Sequence, residues 1–260
     1  MEKIVAFGNG SYSELANVWL SYISKLGLLD KVLIIALDNE IEKEISDFKV
    51  KIIRAPYDIK SKGLNGFWKF RCEVFMKILA NYGSFVHSDL DAIWLKNPFD
   101  YIKNIDSDLI FSQGTVYPRP MFDKYGFVAC CGFFGIRDSN SSRLFLKILK
   151  SDVQTTGDDQ VSVNKIIFNF LKSLEIKDIY YEKAYFANGQ VFPLKCSNFP
   201  MMGKFSNFYG QELLLTILPH FLFPRLKKSI NKSTIVAHPL APKNNTEKIK
   251  LLKEINLLNS

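Results

Sequence analysis

The chain has 260 residues, 47% of them hydrophobic and 14% aromatic, and carries a formal net charge of +8. That length and apolar content supply a substantial core for one large or two small domains, and no internal repeat or low-complexity tract interrupts the chain. No apolar run approaches the ~20 residues that cross a bilayer, no cysteine pair has C-x-x-C spacing, and the positive charge calls for an anionic partner (nucleotide, phosphorylated lipid, acidic membrane or nucleic acid) without choosing among them.

The N-terminus, Met1-Glu2-Lys3-Ile4-Val5, enters a strand directly, with no hydrophobic region of a signal peptide ahead of it. Ile4 to Phe7 reads as the first strand, and Gly8-Asn9-Gly10-Ser11-Tyr12 as a turn at its end. Ser13 is placed to cap a helix to about Lys25, with Leu15, Val18, Trp19, Tyr22 and Ile23 on one face. Val32 to Leu37 is a continuous apolar run of the kind buried on both faces of a parallel sheet. A short helix around Ile41 to Ser46, a strand Val50 to Arg54, a loop over 55–66 and a helix Phe67 to Ala80 follow. This β-α-β-α-β order predicts an open parallel sheet, whose ligands bind beyond the carboxyl ends of the strands.

The next strand carries the most informative stretch. Phe85-Val86-His87 is a short buried run, and it ends in Asp89 and Asp91, one residue apart. Residues i and i+2 of an extended segment point the same way, so the two carboxylates are expected to converge on one ion. Hard oxygen donors suit Mg²⁺ or Mn²⁺, which bind through one or two carboxylates plus substrate phosphates. Ile93-Trp94-Leu95 continues the run, and Asn97-Pro98 stops it.

Beyond this point the spacing predicts a strand over Asp108 to Ser112, a long loop over 113–126, a buried strand Phe127 to Ile136 and a helix over 140–150. Thr155-Thr156-Gly157-Asp158-Asp159-Gln160 opens a helix to about Phe170. Acidic residues at that position complement the helix dipole, and the same pair could orient substrate hydroxyls or take a proton. Residues 180–210 read as irregular, with turns at Asn188-Gly189, Phe192-Pro193, Phe199-Pro200 and Gly203. Segment 213–230 sets an apolar patch beside a basic cluster, read either as a core helix with a solvated end or as a surface for an anionic bilayer. Thr234 to His238 reads as a strand ending in an imidazole that can complete a Mn²⁺ shell, with Lys243 and Lys248 placed beyond it for phosphate charge and a basic helix over Thr246 to Leu258. The four cysteines, Cys72, Cys130, Cys131 and Cys196, point to a reducing, cytoplasmic setting rather than a disulfide framework, and adjacent Cys130 and Cys131, in an apolar run, look like core residues.

The run Phe-Val-His-Ser-Asp-Leu-Asp-Ala-Ile-Trp-Leu-Lys-Asn-Pro resembles the Asp-x-Asp signature of nucleotide-diphospho-sugar transferases of GT-A fold. It matches the form Asp-x-Asp-x-x-Trp-Leu-x-x-Pro at Asp89, Asp91, Trp94, Leu95 and Pro98. Looser blocks fall in the order such enzymes show: Trp68-Lys69-Phe70-Arg71, the Gly-Phe-Phe of Gly132 to Phe134, Asp159-Gln160, and a C-terminal His followed by a lysine-bearing helix. Two departures stand out: Cys130-Cys131 precedes Gly132 where an Asn-Thr or Asn-Ser pair is common, and His238-Pro-Leu-Ala-Pro-Lys243 replaces His-x-x-Gly-x-x-Lys.

The resemblance implies a single compact α/β domain of GT-A, Rossmann-like type. Its central sheet would be mixed but mostly parallel, with helices on both faces. Residues 1–112 would form the nucleotide-sugar half and 113–260 the acceptor half. By the same resemblance Phe7, Gly8 and Tyr12 hold the base. Lys69, Arg71 and Lys243 or Lys248 meet the nucleotide or its diphosphate, and Asp89 touches ribose and metal. Asp91 and His238 bind the metal, Mn²⁺ or Mg²⁺, and Asp158 or Asp159 faces the sugar or acceptor. The implied activity moves a sugar from a UDP- or GDP-sugar to a glycan or lipid-linked acceptor. That points to cell-surface polysaccharide synthesis at the cytoplasmic membrane face. Two other readings were weighed. A haloacid-dehalogenase-type phosphatase would use Asp-x-Asp with Gly157-Asp158-Asp159, but its first pair ends the first core strand, whereas three strands precede Asp89 here. A basic nucleic-acid-binding protein lacks support, because no zinc spacing, helix-turn-helix or aromatic RNA-binding motif occurs.

Overall fold

The structure, a computed structural model, describes residues 3–56, 59, 63–185, 190–240 and 244–258. In chain order it contains β1 (Lys3–Gly8), α1 (Ser13–Lys25), β2 (Val32–Ala36), α2 (Asn39–Glu44), β3 (Lys51–Arg54), α3 (Gly63–Tyr82) and β4 (Phe85–Ser88). β5 (Ile93–Trp94), α4 (Phe99–Ile102), β6 (Leu109–Gln113), α5 (Arg119–Tyr125), β7 (Ala129–Ile136), α6 (Asn140–Thr156) and α7 (Asp159–Phe170) follow. The last part holds β8 (Leu171–Glu175), β9 (Ile179–Tyr185), β10 (Val191–Ser197), β11 (Met201–Phe205), β12 (Leu214–Ile217), β13 (Val236–Ala237) and α8 (Asn245–Leu258).

Nine strands form one sheet in the order β3-β2-β1-β4-β7-β6-β12-β11-β8. β7 and β11 run against the other seven, so the sheet is mixed and mostly parallel. The strand–helix alternation of the first part does give parallel pairing throughout β1 to β4. The antiparallel β7 between β4 and β6 comes from the second half, where a buried strand's apolar run carries no mark of its direction.

Alternation along β1 shows how the layers divide. Ile4 and Ala6 point into one core, which takes in Leu15 and Trp19 of α1, Ile41 of α2 and Ile249 of α8. Val5 points into the other, which is built on Cys72 and Phe75 of α3, Phe145 of α6 and Val163 of α7. Successive side chains of a strand face opposite ways, so one apolar run feeds both cores and helices cover both faces.

Two expectations are corrected in the second half. The loop over 113–126 contains α5, with Pro120 in its first turn and Gly126 at φ 81° as its C-terminal cap. Pro inside a helix start and Gly just past its end are helix signals as well as loop signals. The region read as irregular carries three strands, β9 and β10 in a separate hairpin and β11 in the main sheet; the Asn188-Gly189 turn lies outside the described residues. Segment 213–230 is neither helix nor bilayer face in its apolar part: Leu213, Leu215, Ile217, Leu218, Phe223 and Leu226 are buried in the two cores. Only the basic end is exposed, at Lys227 and Lys228. Among the described residues no helix is long and apolar enough to cross a membrane.

Candidate functional site

The carboxyl end of β4 opens into a turn rather than extended chain. Ala92 N donates to Asp89 O at 3.0 Å, and Asp89 N donates to Gly132 O on β7 at 2.7 Å. Convergence of Asp89 and Asp91 therefore comes from this turn, not from the same-side rule for a strand. Trp94 holds the turn from below: it is fully buried, its Nε1 donates to Ser88 Oγ at 3.1 Å, and its ring meets Trp19 edge-on at 6.4 Å. The Trp19 Nε1 donates to Ala92 O at 3.1 Å, so both indoles satisfy their polar handle on the segment that carries the aspartates.

β13 delivers the histidine. It pairs antiparallel with β5, Val236 opposite Trp94 and Ala237 opposite Ile93, and the next residue is His238. One ligand atom each from Asp89, Asp91 and His238 lies within 4.8 Å of the others. His238 Nε2 is 3.1 Å from Asp91 Oδ1, and Lys248 Nζ of α8 is 2.6 Å from Asp91 Oδ2. α8 is seated by Ile249 and Leu252 in the core and by Asn245, whose Nδ2 donates to Ser11 O at 2.6 Å. The floor of the cluster is Gly132: a Cβ there would stand 2.6 Å from His238 Nδ1 and 2.7 Å from Asp89 Oδ2, and nearer still to His238 Cε1. Two carboxylates and an imidazole around a space that a methyl group would fill are a fitting donor set for Mn²⁺ or Mg²⁺.

Behind Asp89 lies a buried cationic group. Arg71 of α3 is 5% exposed, with Nη1 3.3 Å from Asp159 Oδ2 and Nη2 3.6 Å from Asp89 Oδ1. It also donates to Cys131 O at 2.8 Å and lies 2.5 Å from His87 Nε2. His87 Nε2 is 3.1 Å from Asp89 Oδ1. Burial, then the Arg71 charge, lowers His87 to about 4, so the ring is neutral. Burial opposes ionisation of Asp89, but the His87 hydrogen bond and the Arg71 charge bring it down to about 2. Asp91 is held well below the usual carboxylate range, against burial, by His238 and Lys248. Burial and Arg225 act against protonation of His238, yet Asp91 raises it to about 9. Burial pushes Asp159 up to about 6, with Arg71 pulling the other way.

Two recesses meet at this cluster. The larger, about 760 Å³, is lined by Phe7, Gly8, Tyr12, Phe67 and Trp68, with Arg71, Asp89, Asp91 and Lys248 on its inner side. The smaller, about 350 Å³, shares that inner side and adds Tyr117, Cys130, Gly132, Asp158, Asp159, Gln160, Arg225 and His238. Phe7, Gly8, Tyr12, Arg71, Asp89, Asp91, Asp158, Asp159, His238 and Lys248 are thus gathered around one space. Lys69 is not among the lining residues. It stands two positions from Arg71 on α3, and residues i and i+2 of a helix do not share a face. Lys243 lies outside the described residues. Asp158 caps α7 by accepting from Val161 N at 2.8 Å, as the dipole reading anticipated. The Gln160 amide is already engaged, accepting from Cys131 N at 3.2 Å and donating to Tyr117 O at 2.9 Å.

Sequence reading missed three members of the site. His87 reads from the sequence only as part of the buried run Phe85-Val86-His87, and its one signal is a titratable residue inside an apolar run ending in two aspartates. Cys130, whose Sγ is 3.8 Å from His238 Nδ1, is lowered to about 7 by Arg225 and His238 in spite of its burial. Arg225 follows an apolar segment and carries no local signal at all.

A family described as nucleotide-diphospho-sugar transferase matches residues 27–237 of the chain. No curated protein matches. Among solved structures the chain is similar to galactosyltransferase LgtC, determined in complex with donor and acceptor sugar analogs, at a TM-score of 0.56 and 10% identity, covering 99% of this chain and 96% of that one. At that identity the likeness speaks for the fold alone, and the fold is GT-A. The phosphatase and nucleic-acid readings are overturned by the family match.

Proposed function

We propose that this chain, which belongs to the nucleotide-diphospho-sugar transferase family and is a glycosyltransferase, moves a sugar from a UDP- or GDP-sugar to a glycan or lipid-linked acceptor in a divalent-metal-dependent reaction. The observation that carries the reading is the Asp89, Asp91 and His238 cluster at the junction of two recesses. The larger recess takes the nucleotide, its base against Phe7 and Tyr12 and its ribose toward Asp89. The smaller takes the sugar and acceptor. Asp89, Asp91 and His238 would hold Mn²⁺ or Mg²⁺, which supplies Lewis-acid stabilisation of the departing diphosphate. Lys248 and Arg71 add fixed positive charge on the inner wall, where negative charge grows as the bond from C1 to the diphosphate oxygen breaks. The acceptor hydroxyl forms the new bond to C1, and its proton passes to the Asp158–Asp159 pair. Asp159, held near 6, has a proton affinity suited to that exchange close to neutral pH.

Thermal melting with UDP or GDP plus Mn²⁺ tests the donor assignment, since a ligand bound only by the folded state raises the melting temperature. Asp91→Ala is expected to abolish the Mn²⁺-dependent part of that rise and of turnover while the protein stays folded. If no nucleoside diphosphate raises the wild-type value, the reading fails.

The net charge of +8 and the exposed Lys227–Lys228 pair support an acceptor at the cytoplasmic membrane face, as cell-surface polysaccharide synthesis requires. With the apolar part of 213–230 buried, the attraction is electrostatic. Flotation with anionic liposomes is expected at low salt and lost at high salt, and no flotation at low salt removes the membrane role.

A further inference from the structure

Arg225 lines the smaller recess and not the larger one. Its backbone is fixed on both sides: its N–H donates to His220 Nε2 at 3.0 Å, and its C=O accepts from Leu240 N at 2.8 Å. His220 is fully buried and is itself held by Glu182 of β9, with 3.0 Å between His220 Nδ1 and Glu182 Oε1, while Ser229 Oγ donates to the other Glu182 oxygen. A buried polar chain from the β9–β10 hairpin thus sets this one backbone position. Because His220 Nε2 accepts from Arg225 N, Nδ1 carries the proton toward Glu182, and both ring nitrogens are engaged in holding this position.

Arg225 is half-buried. Two of its three guanidinium nitrogens, Nε and Nη1, are shielded from solvent and have no hydrogen-bond acceptor, and among the described residues no carboxylate forms an ion pair with it. Arg71, by contrast, meets two carboxylates a few ångströms away. Shielded N–H groups left without an acceptor are costly and call for a reason. The planar fork of arginine matches a phosphate or carboxylate in two-point contact. Among the described residues the recess has no other cation that belongs to it alone apart from His238, since Arg71 and Lys248 line both spaces.

We propose that Arg225 recognises an oxyanion, phosphate or carboxylate, carried by the acceptor, so that this transferase selects a negatively charged acceptor sugar. The assignment rests on the donor reading above only in taking the larger recess as the nucleotide's.

The test compares wild type, Arg225→Met and Arg225→Lys. Each is first filled with Mn²⁺ and whichever of UDP or GDP raises the melting temperature, which blocks the phosphate positions of the donor. Glucose, glucose 6-phosphate and glucuronate are then titrated by saturation-transfer NMR. Wild type is expected to bind an anionic sugar at least tenfold better than glucose, Arg225→Met to lose that preference with an unchanged nucleotide shift, and Arg225→Lys to recover part of it. Arg225→Met without ligands is expected to melt no lower than wild type, because an uncompensated charge has been removed; a structural role would lower it. Equal binding of charged and neutral sugars by wild type overturns the proposal. So does a tenfold loss of nucleotide affinity in Arg225→Met with the preference intact, which would give Arg225 to the donor diphosphate. If wild type binds no nucleotide the donor reading falls, and the same sugar series, run without nucleotide, still decides Arg225.

Discussion

Gly132→Ala probes the site with the least chemical change. The added carbon would lie 2.6 Å from His238 Nδ1 and 2.7 Å from Asp89 Oδ2, against the roughly 3.5 Å that such atoms keep in contact. Relief therefore moves the imidazole or the carboxylate by about 1 Å. β7 itself is pinned, since Gly132 O accepts from Asp89 N and Ser112 Oγ donates to the next carbonyl, Phe133 O. Overpacking of this kind costs about 1–3 kcal/mol. For 260 residues the unfolding entropy is on the order of 0.55 kcal/mol per kelvin, so the ligand-free melting temperature drops by about 2–5 °C. The ligand effect is larger. Misplacing a metal or catalytic group by that distance costs roughly a hundredfold. Nucleotide and Mn²⁺ at one hundred times their dissociation constant stabilise wild type by about 2.7 kcal/mol, near 5 °C. The same concentration would shift Gly132→Ala by less than about 1 °C. Differential scanning fluorimetry reads both numbers. In a His238→Ala background the ligand-free cost should shrink, because the nearest clash is gone. A full nucleotide shift in Gly132→Ala, or an undiminished cost beside His238→Ala, would refute the account of a crowded floor.

Two further outcomes follow from the charges. His87 is lowered to about 4 in the folded protein and titrates near 6.5 when unfolded. A group whose folded value is depressed contributes stability above its unfolded value and loses it as pH falls toward the folded one, so wild type should take up about one extra proton on unfolding between pH 6.5 and 4. His87→Phe should lose that part of the slope in a urea-melt series, and an unchanged slope would assign it elsewhere. Lys248 sits on Asp91 as a built-in counter-ion at 2.6 Å. Lys248→Met is expected to bind Mn²⁺ alone at least tenfold more tightly and nucleoside diphosphate more weakly, read by calorimetry; tighter binding of both would remove the lysine from the phosphate wall.

How much of this could be read from the chain divides along a physical line. Asp89 and Asp91 were visible because a strand that ends in two close carboxylates is a local pattern. Strand and helix alternation up to residue 99 was visible for the same reason, each element being one apolar period bounded by turn residues. Tertiary pairing is what stayed hidden. Arg71 meets Asp159 across 88 positions of sequence, and nothing near either residue announces the other. The reversed direction of β7 depends on which neighbours it finds, not on its own composition. α5 was obscured because Pro120 and Gly126 mark loops as readily as helix ends, and β10 and β11 because Pro193 lies inside one and Pro200 just before the other. Lys69 came in with Arg71 from the resemblance, and helical geometry turns only Arg71 toward the cleft.

The docking of α8 has a consequence for how the enzyme becomes competent. Every strand among the described residues is complete by Ala237, yet Lys248 belongs to α8, downstream of them all. With α8 undocked the sheet would be whole and the reaction chamber half-built, with Asp91 deprived of its ammonium partner. Catalytic competence is therefore set by the seating of one helix, and a change that loosens α8 would tax turnover well before it troubled the scaffold.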